Sequence, residues 1–453
     1  MMEIMESVKK GAGYLSAKNL EFYDYVNANP EFFDRQYFCD MDLQQEKRRL
    51  QPWPTFIDKE NLDHLEKINL QLFNLIAELP YRLFGSSPEK IAKQFNLPPK
   101  FVEIYFEGYE KVNSKNFIGR GDYVLSDNNF NLIEFNTTTL VGGLELPLWE
   151  DRCQNNSLIK KFLESHKINL VHHHYTHRLM EHLLDSSQID LHSGSIHVAL
   201  FEYVTEDKAF FGFLEKAFSD IINEKSINAK LSFCAPKDIE FEDDDVLFNN
   251  EKIDLMLEFK SGMISRKLLN AVKNDKLRIL NGPGSGLLTD KNNVALLSEY
   301  AESSVFSEEE REIIQKHVTW TRKLRPQVTH FQHQAIDLIP FVLENKDLFI
   351  LKPAAGHAGI GIVAGKETEQ EVWQQKINKA YKNNNSIIQE LIEPQKLYYL
   401  SKNSGGQPMN IVFGALTFGP NFGGCLLRVK PEEEGIVINS RQNAEVAVVL
   451  ECC

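Results

Sequence analysis

The segment 348-LFILKPAAGHAGIGIVAG-365 runs from an apolar stretch into Lys352 and Pro353, passes through Gly356, Gly359 and Gly361, and resumes as a second apolar stretch. Glycines at this density let the backbone bend freely and bring its N–H groups close to a ligand, the usual device for holding phosphates. The dinucleotide fingerprint is excluded, because the spacing is G-x-x-G-x-G and the residues that follow are strand-like where the fingerprint needs a helix. A Walker A loop is excluded too: neither this loop nor 282-GPGSGLLTDK-291 ends in GK[ST]. What fits is a strand, a glycine-rich flap and a second strand, a hairpin folded over a triphosphate with Lys352 at its base offsetting phosphate charge.

Two further constellations belong with it. The stretch 386-SIIQELIEPQ-395 reads as a buried strand ending in Gln389, Glu390, Leu391, Ile392 and Glu393. Its last residues can present backbone N–H and C=O groups to an adenine edge, with Glu393 near a ribose hydroxyl. Far upstream, 119-GRGDYVLSDNNFNLIEFNTTTLVGG-143 holds Asp122, Glu134 and Asn136, all hard oxygen ligands. Glu134 and Asn136 lie two apart on one strand and so face the same way, as shared coordination of Mg²⁺ requires. A carboxylate plus a Glu-x-Asn pair can bridge one or two magnesium ions to the β- and γ-phosphates, and Arg120 can neutralise the charge that develops there. The hydroxyls and glycines of 137-TTTLVGGLELP-147 follow directly and are suited to line an acceptor pocket.

Other residues carry weaker signals. His172, His173, His174 and His177 form HHHYTH on what reads as a long helix from about Ser157 to Leu184. His173 and His177 then stand at i and i+4, a zinc-binding spacing, but the glutamate of HExxH is absent and no zinc site is assigned. Arg-Gly-Asp at 120–122 is not read as an adhesion motif in a cytosolic chain. The terminal Cys452-Cys453 is read as a tail rather than a prenylation signal.

The elements that must position these residues follow from periodicity. Residues 1 to about 110 read as mainly helical: Leu62, Leu65, Ile68, Leu70 and Leu72 to Leu75 recur at helical spacing, and Ser87-Pro88-Glu89 is a helix start. Asp127 to Asn129 separate two short strands as a hairpin turn. Between 196 and 290, strands (IHVALFEYV, AKLSFCA, IDLMLEF, LRILNG) alternate with helices over 209–222 and 265–274, which predicts a small parallel α/β layer. The acidic run Glu240 to Asp245 reads as a solvated loop. Helices follow over 290–300 and 307–318, the latter starting at Ser307 with an acidic first turn.

Composition sets the outer bounds. The chain has 453 residues, 42% hydrophobic and 25% charged, an ordinary globular balance with room for two or three domains. Fifty Lys and Arg against 64 Asp and Glu give a net charge of −14, which argues against general nucleic-acid binding. The N-terminus lacks an apolar leader core and no window approaches a membrane span, so the chain reads as cytoplasmic and without a membrane partner. Six scattered cysteines suit a reducing compartment.

Taken together, these motifs resemble the circularly permuted ATP-grasp family, as found in glutathionylspermidine synthetases and related bacterial proteins. The resemblance covers roughly residues 115 to 450. It rests on GRGD with IEFN, 12 residues from Asp122 to Glu134, on TDKNNVALL, on FILKPAAGHAGIG and on IIQELIE. It implies Lys291 as a first phosphate-contacting lysine, Lys352 as the second, and a flap that includes Gly356, His357, Gly359 and Gly361. Arg428, in 410-NIVFGALTFGPNFGGCLLRVKP-431, is implied to reach the transferred phosphate from paired strands that close the site. His357 and Ala358 stand where relatives carry further glycine or lysine, and no cysteine amidase domain is recognisable in the N-terminal region.

The implied fold is an α/β (α+β) ATP-grasp with four regions: helical 1–112, a metal-binding part over 113–195, a small parallel α/β layer over 196–290, and a nucleotide-binding part over 291–453. The implied cofactors are ATP with one or two Mg²⁺. The implied reaction is phosphorylation of a small-molecule carboxylate to an acylphosphate, which an amine attacks to give an amide, ADP and phosphate. Two other readings use the same apparatus: a nucleotide-binding regulatory protein without turnover, and a phosphotransferase.

Overall fold

The computed structural model describes residues 2–29, 50–85, 87–100, 102–103, 117–137, 142–143, 146–171, 173–187, 194–201, 208–258, 265–282, 285–356, 359–400, 406–439 and 443–453. Along the chain the strands are β1 (Leu50–Asp58), β2 (Ile118–Ser126), β3 (Asn129–Asn136), β4 (Ile196–Phe201), β5 (Ala229–Cys234), β6 (Glu240–Glu242), β7 (Asp245–Phe248), β8 (Glu251–Lys252), β9 (Leu255–Glu258) and β10 (Arg278–Leu280). They continue with β11 (Thr321–Lys323), β12 (Val328–Phe331), β13 (Gln334–Asp337), β14 (Phe349–Pro353), β15 (Val363–Ala364), β16 (Ser386–Glu390), β17 (Lys396–Leu400), β18 (Gly406–Phe418), β19 (Asn421–Pro431) and β20 (Glu445–Cys452).

The central sheet has the order β1-β20-β19-β18-β2-β3, with β17 pairing along another stretch of β18. Its β2–β3 hairpin turns through Asp127 and Asn128 at φ 50° and 59°, the left-handed pair that a two-residue hairpin requires and that Asp and Asn tolerate. On the far edge, β1 runs parallel to β20. This strand departs from the mainly helical reading of the N-terminal region. Pro52 and Pro54 remove ladder donors, which an edge strand can spare, and its residues are buried on both faces, so no alternation marks it in the sequence. The helix Lys59–Phe84 packs on this sheet through Leu62, Leu65, Ile68, Leu72 and Ile76.

The second sheet is the expected parallel layer, ordered β10-β9-β4-β5, with helices Lys208–Glu224 and Arg266–Lys273 as connections. The acidic run is solvated but is not a loop: Glu240 to Glu242 pair with Asp245 to Leu247 as a hairpin turning at Asp243, φ 52°. Alternating Glu and Phe hide a strand inside what reads as a charge cluster. The helix expected over 157–184 is two helices, Ser157–His166 and Tyr175–Ser186. Lys167, at φ 51°, closes the first, and Leu170 then bridges to Cys452 on β20.

The third sheet is antiparallel, β11-β16-β14-β15, with its own apolar core around Trp373, Phe349 and Ile388. It abuts the β2–β3 hairpin through backbone bonds: the Thr319 N–H donates to Leu132 O at 3.1 Å and the Gln395 N–H to Leu125 O at 2.8 Å. Before it, the helix Glu308–His317 starts in a capping box, with Ser307 Oγ accepting from Glu310 N–H and the Glu310 carboxylate accepting from Ser307 N–H. Among the described residues no helix is long and apolar enough to cross a membrane.

Asn281, just beyond β10, fastens the parallel layer to the central sheet. Its Oδ1 accepts from Ile118 N–H at 2.7 Å, and its Nδ2 donates to the carbonyls of Ile118 and Thr137. The residue is buried, so removing its amide strands main-chain groups away from water. Asn281→Ala should therefore lower the unfolding free energy by about 3 kcal/mol, measured by urea denaturation, whereas a loss under about 0.5 kcal/mol would mean water replaces these bonds.

Candidate active site

Strand register builds the charged end of the site. Asp122 on β2 lies opposite Glu134 on β3, and Arg120 lies opposite Asn136. Alternation along β2 puts Arg120 and Asp122 on one face. Gly414 on β18 pairs with Asp122, and a Cβ there would sit 2.9 Å from Arg120 Cδ. Its absence lets the arginine lie across the strand. Arg120 then donates from Nε to Asp122 Oδ1 at 2.7 Å and from Nη2 to Oδ2 at 3.0 Å. Arg428 of β19 reaches the same carboxylate, Nη2 to Oδ2 at 2.9 Å, and Asn136 Nδ2 donates to it at 3.4 Å.

Burial pushes the Asp122 carboxyl up, but Arg120 and Arg428 outweigh it and hold the group below the usual carboxylate range. Burial likewise pulls the Arg428 guanidinium down, against Asp122. Its Nε is buried and, among the described residues, has no hydrogen-bond partner.

Glu134 is paired with Lys291, Oε1 to Nζ at 2.9 Å. Lys291 also donates from Nζ to Gly356 O, and from its backbone N–H to Ala354 O, each at 2.9 Å. It thus joins the acidic strand to the base of the flap. Lys352 of β14 approaches from the third sheet and donates from Nζ to Gln389 Oε1 at 2.6 Å and to Ile133 O at 3.3 Å. Burial pushes its ammonium down to about 8.

Between the two sheets lies a cleft open to solvent. Asp122, Glu134, Lys352, Gln389 and Arg428 give it a charged end, and Val124, Ile133, Ile350, Leu391, Val412 and Ile438 give it apolar walls. The two distant segments singled out in the sequence therefore face one cavity.

Of the other expected contributors, Gly359, Glu390 and Ile392 line the cleft. Arg120, Asn136 and Lys291 stand behind the lining as partners of Asp122 and Glu134. Gly356 supplies the carbonyl that Lys291 holds. Gly361, at φ 78°, folds the flap onto Pro353, whose Cγ would be 2.9 Å from an added Cβ. His357 lies outside the described residues. Glu393 is exposed and paired with Lys366 at 2.5 Å, so it is outside the lining. At the expected adenine edge, the amides of Glu390 and Leu391 are already bonded to Trp320 O and Leu348 O.

Sequence reasoning missed the segment Ile436 to Asn439, which closes one wall. It is held by Lys430 Nζ donating to Val437 O at 3.1 Å and by Ile436 N–H donating to Glu367 Oε1 at 2.7 Å. Its contribution is apolar surface and backbone, which leaves no motif. Gly435, at φ 101°, is the readable hint of the turn into it.

Among the described residues no group of three or more His, Cys, Asp and Glu side chains could hold a metal ion by itself. Magnesium does not need one, since it is held by one or two carboxylates together with phosphates and water. Asp122 and Glu134 in register, with the amide of Asn136 beside them, fit that donor set. The histidines expected at i and i+4 of one helix are divided: His173 precedes the helix Tyr175–Ser186 and pairs with Glu451, and His177 lies 3.7 Å from Asp220.

No protein-family model matches the chain, and no curated protein sequence does. Among solved structures it is similar to a glutathione synthetase-like effector from Globodera pallida in its apo form, with 11% identity, a TM-score of 0.58, and coverage of 89% of this chain and 90% of that one. A "Putative gamma-glutamylcysteine synthetase" from Methylobacillus flagellatus KT aligns at 11% identity over 84% of each chain, with a TM-score of 0.41. The first likeness is one of fold: a mixed α/β chain similar to the glutathione synthetase-like effector over nearly its whole length.

Lys352 provides a test of the charged end. A lysine whose folded pKa is about 8 rather than 10.5 weighs against the fold by about 3 kcal/mol below pH 8. That penalty fades as pH rises from 8 to 10.5, because the native state has shed the proton that the unfolded state keeps. Wild-type stability should therefore rise over this window relative to Lys352→Met. Parallel melting-temperature curves of the two proteins between pH 7 and 10.5 would show instead that the ammonium is solvated.

Proposed function

We propose that the chain is an ATP-grasp ligase of the circularly permuted kind, joining a small-molecule carboxylate to an amine with release of ADP and phosphate. The observation that carries this reading is the meeting of the Asp122–Glu134 pair, Lys352 and the unpartnered Nε of Arg428 in one cleft between two sheets. The order of its parts along the chain agrees: the acidic hairpin β2–β3 precedes the lysine-bearing sheet.

In this reading the apolar walls take the base, with the amide of Ile392 and the carbonyls of 390–392 against its edge. Lys291, Lys352 and the flap amides hold the phosphates. Asp122, Glu134 and Asn136 would hold magnesium, which would supply charge neutralisation to the phosphates. An oxygen of the substrate carboxylate attacks the γ-phosphorus, the bond to ADP breaks, and Arg120 and Arg428 orient the transferring group and offset its charge. The amine nitrogen then attacks the acyl carbon, phosphate leaves, and the nitrogen loses a proton. Closure of the flap keeps water from the acylphosphate. Transfer of this kind needs positioning and charge more than a covalent nucleophile, which matches a cleft lined by cations, carboxylates and aliphatic side chains.

The test is ADP release from ATP with pooled small carboxylates and amines, followed by a mass-spectrometric search for a product lighter by one water than its two parents. Release that depends on both co-substrates supports the ligase; phosphorylated acceptor without condensation points to a phosphotransferase. Glu134→Gln should keep the fold, since an amide can still accept from Lys291, yet cut ADP formation by at least about 100-fold. Near-normal turnover in that variant refutes the metal assignment.

A further inference from the structure

Lys352 acts in this reading by pointing an N–H at phosphate, so whatever fixes its direction matters as much as its charge. An ammonium has three donors and no acceptor. Two of its N–H groups are engaged, by Gln389 Oε1 at 2.6 Å and Ile133 O at 3.3 Å. Among the described residues the third meets no partner, which leaves it for a ligand. Gln389 in turn donates from Nε2 to Thr321 Oγ1 at 2.8 Å and to Ile133 O at 3.2 Å. Thr321 passes its own proton to Thr319 O at 2.8 Å, which turns its lone pairs toward Gln389. The bonds form a one-way chain across three neighbouring strands, with Thr321 of β11 opposite Gln389 of β16 and Lys352 of β14 on the diagonal. All three side chains are buried, so water does not substitute for a missing link.

We propose that Gln389 and Thr321 are positioning residues for Lys352: the threonine hydroxyl anchors the glutamine amide, and the amide oxygen aims the ammonium at the phosphates. This assigns the Gln389 side chain to the lysine rather than to the base, and gives a role to Thr321, which lies outside every motif in the sequence. The inference rests on the nucleotide reading given above.

The geometry sets the outcome of a substitution. Valine at 321 keeps the shape and loses the acceptor, so the amide keeps only its longer bond to Ile133 O and the lysine loses its fixed direction. Thr321→Val should weaken binding of a non-hydrolysable ATP analogue about 10-fold and leave adenosine binding unchanged, because adenosine carries no phosphate for Lys352 to meet. Thr321→Ser retains the hydroxyl and should bind like wild type. Gln389→Glu presents acceptors at both ends and needs no anchor, so the double variant Thr321→Val with Gln389→Glu should bind the analogue as well as Gln389→Glu alone.

Isothermal titration on the full chain reads all of these. Equal affinity of Thr321→Val and wild type, an equal loss for adenosine, or a double variant weaker than Gln389→Glu alone overturns the proposal. Should valine prevent folding, Thr321→Ala adds no bulk and carries the same expectation. A wild-type chain that binds adenosine but not the ATP analogue, or neither, overturns the nucleotide reading itself and this inference with it, before any variant is compared.

Discussion

Buried charge must be paired, and in this chain the pairing spans segments that are remote in sequence. Asp122 is neutralised by Arg120 two residues away and by Arg428 on β19. Glu134 is neutralised by Lys291, which also grips the flap at Gly356. An unpaired carboxylate or guanidinium at these depths would cost several kcal/mol. The arrangement of β2, β3, β19 and the lysine-bearing sheet around one cleft is therefore the arrangement in which these charges are satisfied. The packing of the rest serves it: Asn281 holds the start of β2 and the end of β3, and Thr319 and Gln395 stitch the third sheet to the same hairpin.

Much of this was legible in the sequence where a local rule decides the outcome. The Asp127-Asn128 turn, the Ser307 cap, the alternation of strand and helix over 196–290 and the flap hairpin each depend on a few adjacent residues. What failed to show depends on context. The prolines of β1 are acceptable at a sheet edge, and an edge is a tertiary fact. The break after His166 comes from Lys167 in a left-handed turn and the pairing of Leu170 with β20, neither of which periodicity can see.

The candidate site divides in the same way. Side chains with unusual chemistry, such as Asp122, Glu134 and Lys352, stand out as motifs and are found together in the cleft. Residues that contribute a wall or hold another residue in place do not stand out. Val412 and Ile438 are ordinary aliphatic residues until the fold gives them a cavity to line. Glu393 looked chemically apt and sits outside the lining although Ile392 and Pro394 on either side belong to it, because its exposed carboxylate is paired with Lys366.

The charge balance says what kind of ligand such a cleft can admit. Arg120, Arg428, Lys291 and Lys352 oppose Asp122 and Glu134, four cations against two carboxylates, an excess of two positive charges at that end of the cleft. Excess buried charge of one sign destabilises a folded chain unless something compensates it. In the reading proposed above, a magnesium–triphosphate complex, at about −2, would offset the excess. In the proposed reading Asp122 and Glu134 would hold the metal, and their present partners Lys291 and Arg428 would be the cations at hand for phosphate oxygens. A neutral or cationic ligand would offer no such offset. In the proposed reading, that excess is what a polyanionic ligand would offset, ahead of any contact with base or acceptor.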